Sequence, residues 1–286
     1  MATSSAERGE IRVILAAYLD GQPYDGLAYY LMEKSNLPGP RMNLGLANNF
    51  ADAVGELVSE PQTRVERLEM LLDTWARLPV DQAPVNHPRV ILPCVAVLSY
   101  GQAAVSRPEW WDDEIAKLER AATDPRWRVR EMVAAALQRM LAADWTRTCG
   151  ALMSWIACGE PLRIRAAVAA VAEPGLLADK QRAEDALAVQ AEAVNQFIHF
   201  SPEQRRDENV RALRQALGYT LSVVTAASPE TGFHLMEELA ALPDPDIVWI
   251  VRENMKKKRL EPWQDRLTTL ETALFRPEQA DEQDDE

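Results

Sequence analysis

Cysteine and histidine are scarce in this chain, and each scarcity removes a class of function. Three cysteines, Cys94, Cys149 and Cys158, form no Cys-x-x-Cys motif and no even framework. They support neither a disulfide scaffold nor a zinc site and read as small buried apolar residues. His87, His199 and His234 have no second His or Cys at metal-ligand spacing, so no metal is expected. No Gly-x-Ser-x-Gly elbow, Gly-Lys-Ser/Thr phosphate loop or dinucleotide glycine fingerprint occurs, so catalytic residues and a cofactor are not expected either. The adjacent acids Asp112 and Asp113 fall at a helix start, where the helix dipole accounts for them without acid–base chemistry.

Positive charge is also lacking. The net charge is −13 at pH 7, which disfavours a nucleic-acid partner because phosphate binding needs a basic surface. Six of the acids lie in the last nine residues, Glu278 to Glu286, leaving −7 on the rest. Residues 277–286 therefore read as a disordered acidic tail. No basic start followed by a sustained apolar centre opens the chain, and the apolar runs fall short of about 20 residues. No membrane partner and a cytoplasmic location are expected.

Thr, Ile, Tyr and Phe are sparse beside Ala, Leu, Glu and Arg, which favours helix over pleated strand. The fold class is all-α. Residues 1–58 read as an N-terminal helical region, with a frayed end over Met1 to Arg8. A first helix follows through Ile11, Leu15 and Leu19, and a second lies around Leu27 to Leu31. A break comes at Leu37-Pro38-Gly39-Pro40, and a third helix runs through Leu46, Phe50, Val54 and Leu57. Beyond Ser59, Pro61, Pro88, Pro108, Pro125, Pro161, Pro202, Pro229, Pro245 and Pro262 punctuate the pattern where helices begin. Asp, or Ser, stands before several of them as a cap, and Ser201-Pro202-Glu203-Gln204 has capping-box spacing.

The stretch Asp124-Pro125-Arg126-Trp127-Arg128-Val129-Arg130-Glu131 has a partial copy at Trp249-Ile250-Val251-Arg252-Glu253, again just after an Asp-Pro pair, Asp244-Pro245. Arg41, Arg89, Arg130, Arg165, Arg211 and Arg252 recur at separations of 48, 41, 35, 46 and 41 residues. One helical hairpin about every 40 residues follows, and neither helix of a hairpin can bury its apolar stripe alone. Residues 59–276 thus read as a repeat array.

This motif, with the alanine-rich Met132 to Leu137 behind it, resembles the HEAT-repeat consensus, and residues 160–172 and 244–260 are similar to it. The resemblance implies a right-handed superhelix of HEAT-like helical hairpins, whose second helices line a concave surface that holds another protein. It also implies that Arg130 and Arg252 bond turn aspartates, with Asp124 and Asp244 as partners, and that Arg165, Trp127 and Trp249 serve the joints between units. Arg126, Arg128, Arg163 and Trp110 remain as candidates for the binding surface. The function expected is a scaffold or adaptor for a protein partner. A HEAT-type DNA glycosylase of the alkylation-repair kind and a bilin-lyase-like protein are the enzymatic alternatives.

Overall fold

The computed structural model describes residues 2–61 and 64–274. These are all-helical, with no strand among them. The acidic tail expected over residues 277–286 lies outside the described residues. The chain divides into two compact units, Met1–Ala151 and Leu152–Glu286, a boundary inside the stretch that reads as one array.

The first unit contains α1 (Ala2–Leu19), α2 (Asp25–Glu33), α3 (Leu44–Val58), α4 (Val65–Ala76), α5 (Ile91–Ser106), α6 (Trp111–Ala121) and α7 (Trp127–Ala143). The division falls inside α8 (Trp145–Ala157). Helix α3 packs between α1 and α5, and α5 packs between α3 and α7, while α4 and α6 lie against α5 from the other layer. Helix α5 is buried nearly all round, from Ile91 through Ala104, as a helix apolar on every face must be. The segment Pro88–Ser106 is long and apolar enough to cross a membrane by length and composition. Most of it is the core of this unit. Gly101 lets α7 approach so closely that a Cβ there would stand 2.4 Å from the Ala136 carbonyl oxygen.

The N-terminal end differs from the frayed segment expected. Helix α1 begins at Ala2 because its polar residues have partners on α3 and just past its end: Arg8 pairs with Glu56 at 3.2 Å, Arg12 pairs with Glu56 and with Glu60 beyond the helix, and Asn49 donates to Glu7 at 2.7 Å.

The second unit contains α9 (Pro161–Val171), α10 (Lys180–Ile198), α11 (Glu208–Ala227), α12 (Pro229–Ala240), α13 (Pro245–Met255) and α14 (Gln264–Leu274). Here α11 lies between α9 and α13, α10 and α12 pack against α11, and α14 packs against α12. Proline opens α9, α12 and α13 as the punctuation predicts. The capping box at Ser201 forms reciprocally, Ser201 N–H donating to Gln204 Oε1 at 2.7 Å and Gln204 N–H to Ser201 Oγ at 3.3 Å. It opens only a short 3-10 turn, and α11 starts later, capped by Asp207.

Of the hairpin stripe expected at Trp111, Ile115, Leu118 and Ala122, all but Ile115 are buried, Glu114 being buried beside it instead, and the facing stripe Val129, Val133, Leu137 and Met140 is buried throughout.

Candidate binding face

The two copies of the repeated motif diverge at their first turn. Asp244 caps α13 directly, accepting from the N–H of Asp246 (2.9 Å) and of Ile247 (3.2 Å), so Pro245 is the first helical residue and Trp249 the fifth. Asp124 instead turns back on the residue two ahead, accepting from Arg126 N–H at 2.8 Å, and α7 starts only at Trp127. Trp127 therefore sits at the helix tip, 45% exposed, and its expected place in the packing between units is corrected. The Arg128 guanidinium lies 4.4 Å from the ring.

Arg126 and Arg128, expected on an open surface, are only 3% and 6% exposed. Arg126 pairs with the Asp124 carboxylate at 2.6 and 2.8 Å and donates to the Ala83 carbonyl. Arg128 donates to the carbonyls of Gly39 (2.7 Å) and Val85 (2.9 Å). Both guanidiniums donate to carbonyls of the loops that lead into α3 and α5, so the buried charges and the loop backbone satisfy each other. Arg130, assigned to the Asp124 carboxylate, donates to the backbone oxygens of Asp124 and Pro125.

Asp244 is likewise held by another arginine than Arg252. Arg205 meets its two oxygens at 2.9 and 2.7 Å, and also bonds the Ile198 and Phe200 carbonyls. Burial pushes the Asp244 carboxyl up, but Arg205 and the capping N–H groups hold it below its ordinary value. Arg252 is exposed, whereas Arg163 and Arg165 on α9 and Trp110 are half-buried. Arg163 donates to Cys158 Sγ at 3.6 Å, and Trp110 lies 4.9 Å below the Arg107 guanidinium.

A coherent surface does form in the second unit, from α11 and α13. Positions 211, 215, 218 and 219 fall on one side of α11, and 249, 252, 253 and 256 on one side of α13. Gly218 decides their approach, since a Cβ there would stand 2.8 Å from Trp249 Cζ3. The half-buried indole rests against the bare backbone and carries the Arg214 guanidinium 3.8 Å from its centre. Asp246 anchors that guanidinium at 2.7 Å. At the next turn Tyr219, 48% exposed, accepts from Arg259 at 2.7 Å and has Lys257 5.6 Å from its ring. Asn254 fastens α13 beneath this face: its Oδ1 accepts from Ser222 N–H at 2.7 Å, and its Nδ2 donates to the carbonyls of Leu217 and Ile250 at 2.8 Å.

Five cations and one carboxylate lie between Trp249 and Arg259, and the carboxylate, Glu253, is bonded to Lys256. By contrast, the polar side chains between α1, α3, α5 and α7 in the first unit neutralise one another. Arg139 bonds Asp52 (2.6 Å), Asn48 (2.8 Å) and Gln102, and Arg8 and Arg12 cover Glu56.

No sequence motif points to a second cluster, at a cleft of about 210 Å³ lined by Asp73, Arg77, Tyr100, Lys117, Arg120 and Asp124. Lys117 meets Glu114 at 2.8 Å, Asp73 at 3.6 Å and Glu69 at 3.7 Å, and Tyr100 donates to Asp73 at 2.9 Å. Glu114 is 1% exposed and its Oε2 has no hydrogen-bond partner. Burial pushes its carboxyl up to about 7, against the pull of Lys117 and with help from Glu69 and Asp73. Burial pulls the Lys117 ammonium down, but the three carboxylates more than reverse this and leave it raised. Three carboxylates around one ammonium, two helices apart in sequence, explain the cluster as a clasp between α4 and α6. The Cys94 thiol is fully buried and pushed up to about 12. Among the described residues no group of three or more His, Cys, Asp or Glu is placed to hold a metal ion.

No family model matches the chain, and no curated protein matches it. Among solved structures, a crystal structure described as an engineered protein aligns with 84% of this chain and 97% of its own at 12% identity, with a TM-score of 0.30. Likeness at that level bears on neither architecture nor role.

Proposed function

We propose that this protein is a HEAT-type scaffold that holds a protein partner on the exposed side of its second helices and performs no chemistry of its own. The observation that carries the reading is the face of α11 and α13. There, the rings of Trp249, over the Gly218 contact, and Tyr219 carry stacked guanidiniums, and cations outnumber carboxylates from Trp249 to Arg259. Rigid aromatic and arginine side chains are the residues on which protein interfaces concentrate their binding energy. In this reading the paired layers belong to a right-handed superhelix and the α11–α13 face lies on its concave side.

The nucleic-acid reading is weaker. Arg126, which it needs to contact phosphate, is committed to Asp124, and the net charge of −13 opposes a polyanion.

The test is site-specific photo-crosslinking in the native lysate, with the photoreactive residue placed at Gln215 on the α11 face or at His234 on α12, both exposed. A protein adduct at Gln215 and not at His234 is the expected outcome. An adduct with nucleic acid, or equal labelling at both positions, would overturn the proposal.

A further inference from the structure

The α11–α13 face has a chemistry specific enough to name the kind of segment it takes, if the scaffold reading on which this rests is right. We infer that the face binds an extended acidic stretch of the partner polypeptide, with carboxylates on the cations of 252–259 and an aromatic or aliphatic side chain against Trp249 and Tyr219.

Charge complementarity is the first argument. Arg211, Arg252, Lys256 and Lys258 are exposed, and Lys257 and Arg259 are half-exposed around Tyr219. On a chain of net charge −13, this local surplus attracts an anionic segment while the remainder repels a large polyanion. A nucleic-acid strand carries a charge at every nucleotide and has to pass the acids that border the patch, Glu253 beside Lys256 and Glu261 and Glu271 in the cleft with Lys256 and Lys257. A peptide places its carboxylates where the cations stand and crosses the acids with neutral backbone.

The second argument is the pre-formed aromatic floor. Arg214 is stacked on Trp249 and pinned by Asp246, and Arg259 is bonded to the Tyr219 hydroxyl. These side chains need little further ordering when a ligand arrives, which lowers the cost of association. The rings give an apolar side chain a place between the charged contacts, so the face favours acidic segments that carry one.

The probe is a fluorescein-labelled peptide of twelve residues, Asp and Glu with one central Phe, titrated with the whole chain at low salt and followed by anisotropy. Saturable binding is expected. The paired change Lys257→Glu with Arg259→Glu should weaken it at least tenfold, and Tyr219→Ala about threefold, with melting curves showing that both variants remain folded. Arg77→Glu with Arg120→Glu, in the first unit, should leave the affinity unchanged. Equal loss in that control pair would overturn the assignment to this face, as would tighter binding of a twelve-nucleotide thymidine strand than of the peptide. If the peptide fails to bind while the Gln215 crosslink to a protein persists, the acidic-segment inference falls and the scaffold reading stands. If the crosslink is also absent, the scaffold reading falls with it.

Discussion

At the scale of residues, the motif that reads as most informative hides a spacing difference. The interval from turn aspartate to tryptophan is three residues at Asp124–Trp127 and five at Asp244–Trp249. On a helix of 3.6 residues per turn this moves the ring from the tip to the flank. The roles of Arg126 and Trp127 follow from it and invert the expectation. Arg126→Ala is predicted to cost about 2 kcal/mol, because it takes the charge partner from the half-buried Asp124 carboxylate and the donor from the Ala83 carbonyl. Trp127→Ala is predicted to cost less than about 1 kcal/mol, since nearly half of the ring is already in water. Urea melts of both variants check the order. Glu114 was not legible at all, because its neighbours Asp73 and Tyr100 come from other helices. Its raised carboxyl means that the folded state holds a proton the unfolded state releases, so its contribution weakens as pH rises from about 4.5 toward and past about 7. The groups facing it are Lys117 on its own helix, Glu69 and Asp73 on α4, and Tyr100 on α5. Glu114→Gln should therefore raise stability by roughly 2 kcal/mol at pH 8 and by almost nothing at pH 4.5. A stabilisation independent of pH would reject this account.

At the scale of elements, helix positions were readable from apolar period and proline, while the closeness of the helices was not. Gly101 and Gly218 are ordinary helical residues in the sequence. In the fold each is the point where a neighbour comes nearest. Gly101→Ala drives a methyl group into the Ala136 backbone, which has no rotamer with which to yield, and is predicted to cost about 3 kcal/mol. A thermal melt that shows no loss would mean α5 and α7 slide apart freely. Asn254 plays the complementary part in the second unit. Helical periodicity alone places it on the buried side of α13, but only packing reveals that it supplies a partner to Ser222 N–H and to the Leu217 carbonyl of α11. Asn254→Leu removes both bonds from α13 to α11, at an expected cost of about 1 to 3 kcal/mol. Amide exchange at Ser222 should then accelerate. Helix α1 shows the same limit from the other direction: its first two turns carry little apolar pattern and are tied to α3 by the Arg8–Glu56 ion pair and the Asn49–Glu7 hydrogen bond.

At the scale of the molecule, the described residues are 78% helical with no strand, and far-UV circular dichroism should report a wholly α spectrum; a β contribution would contradict the fold. The sequence by itself determined that class, the helix order and most of the buried stripes. These depend on local propensity and on the period at which apolar residues recur. It also marked Lys256 to Arg259 as the one dense basic run, since a charge run is visible without any fold. Only the tertiary structure decided where the division at 151 and 152 falls, which arginines are buried under loops, and which aromatic rings remain open. Those outcomes depend on which segments meet across long stretches of chain. An arginine beside a backbone carbonyl is drawn toward it, and an identical arginine beside water is not, so Arg130 of one Val-Arg copy is half-buried against the carbonyls of Asp124 and Pro125 while Arg252 of the other is exposed.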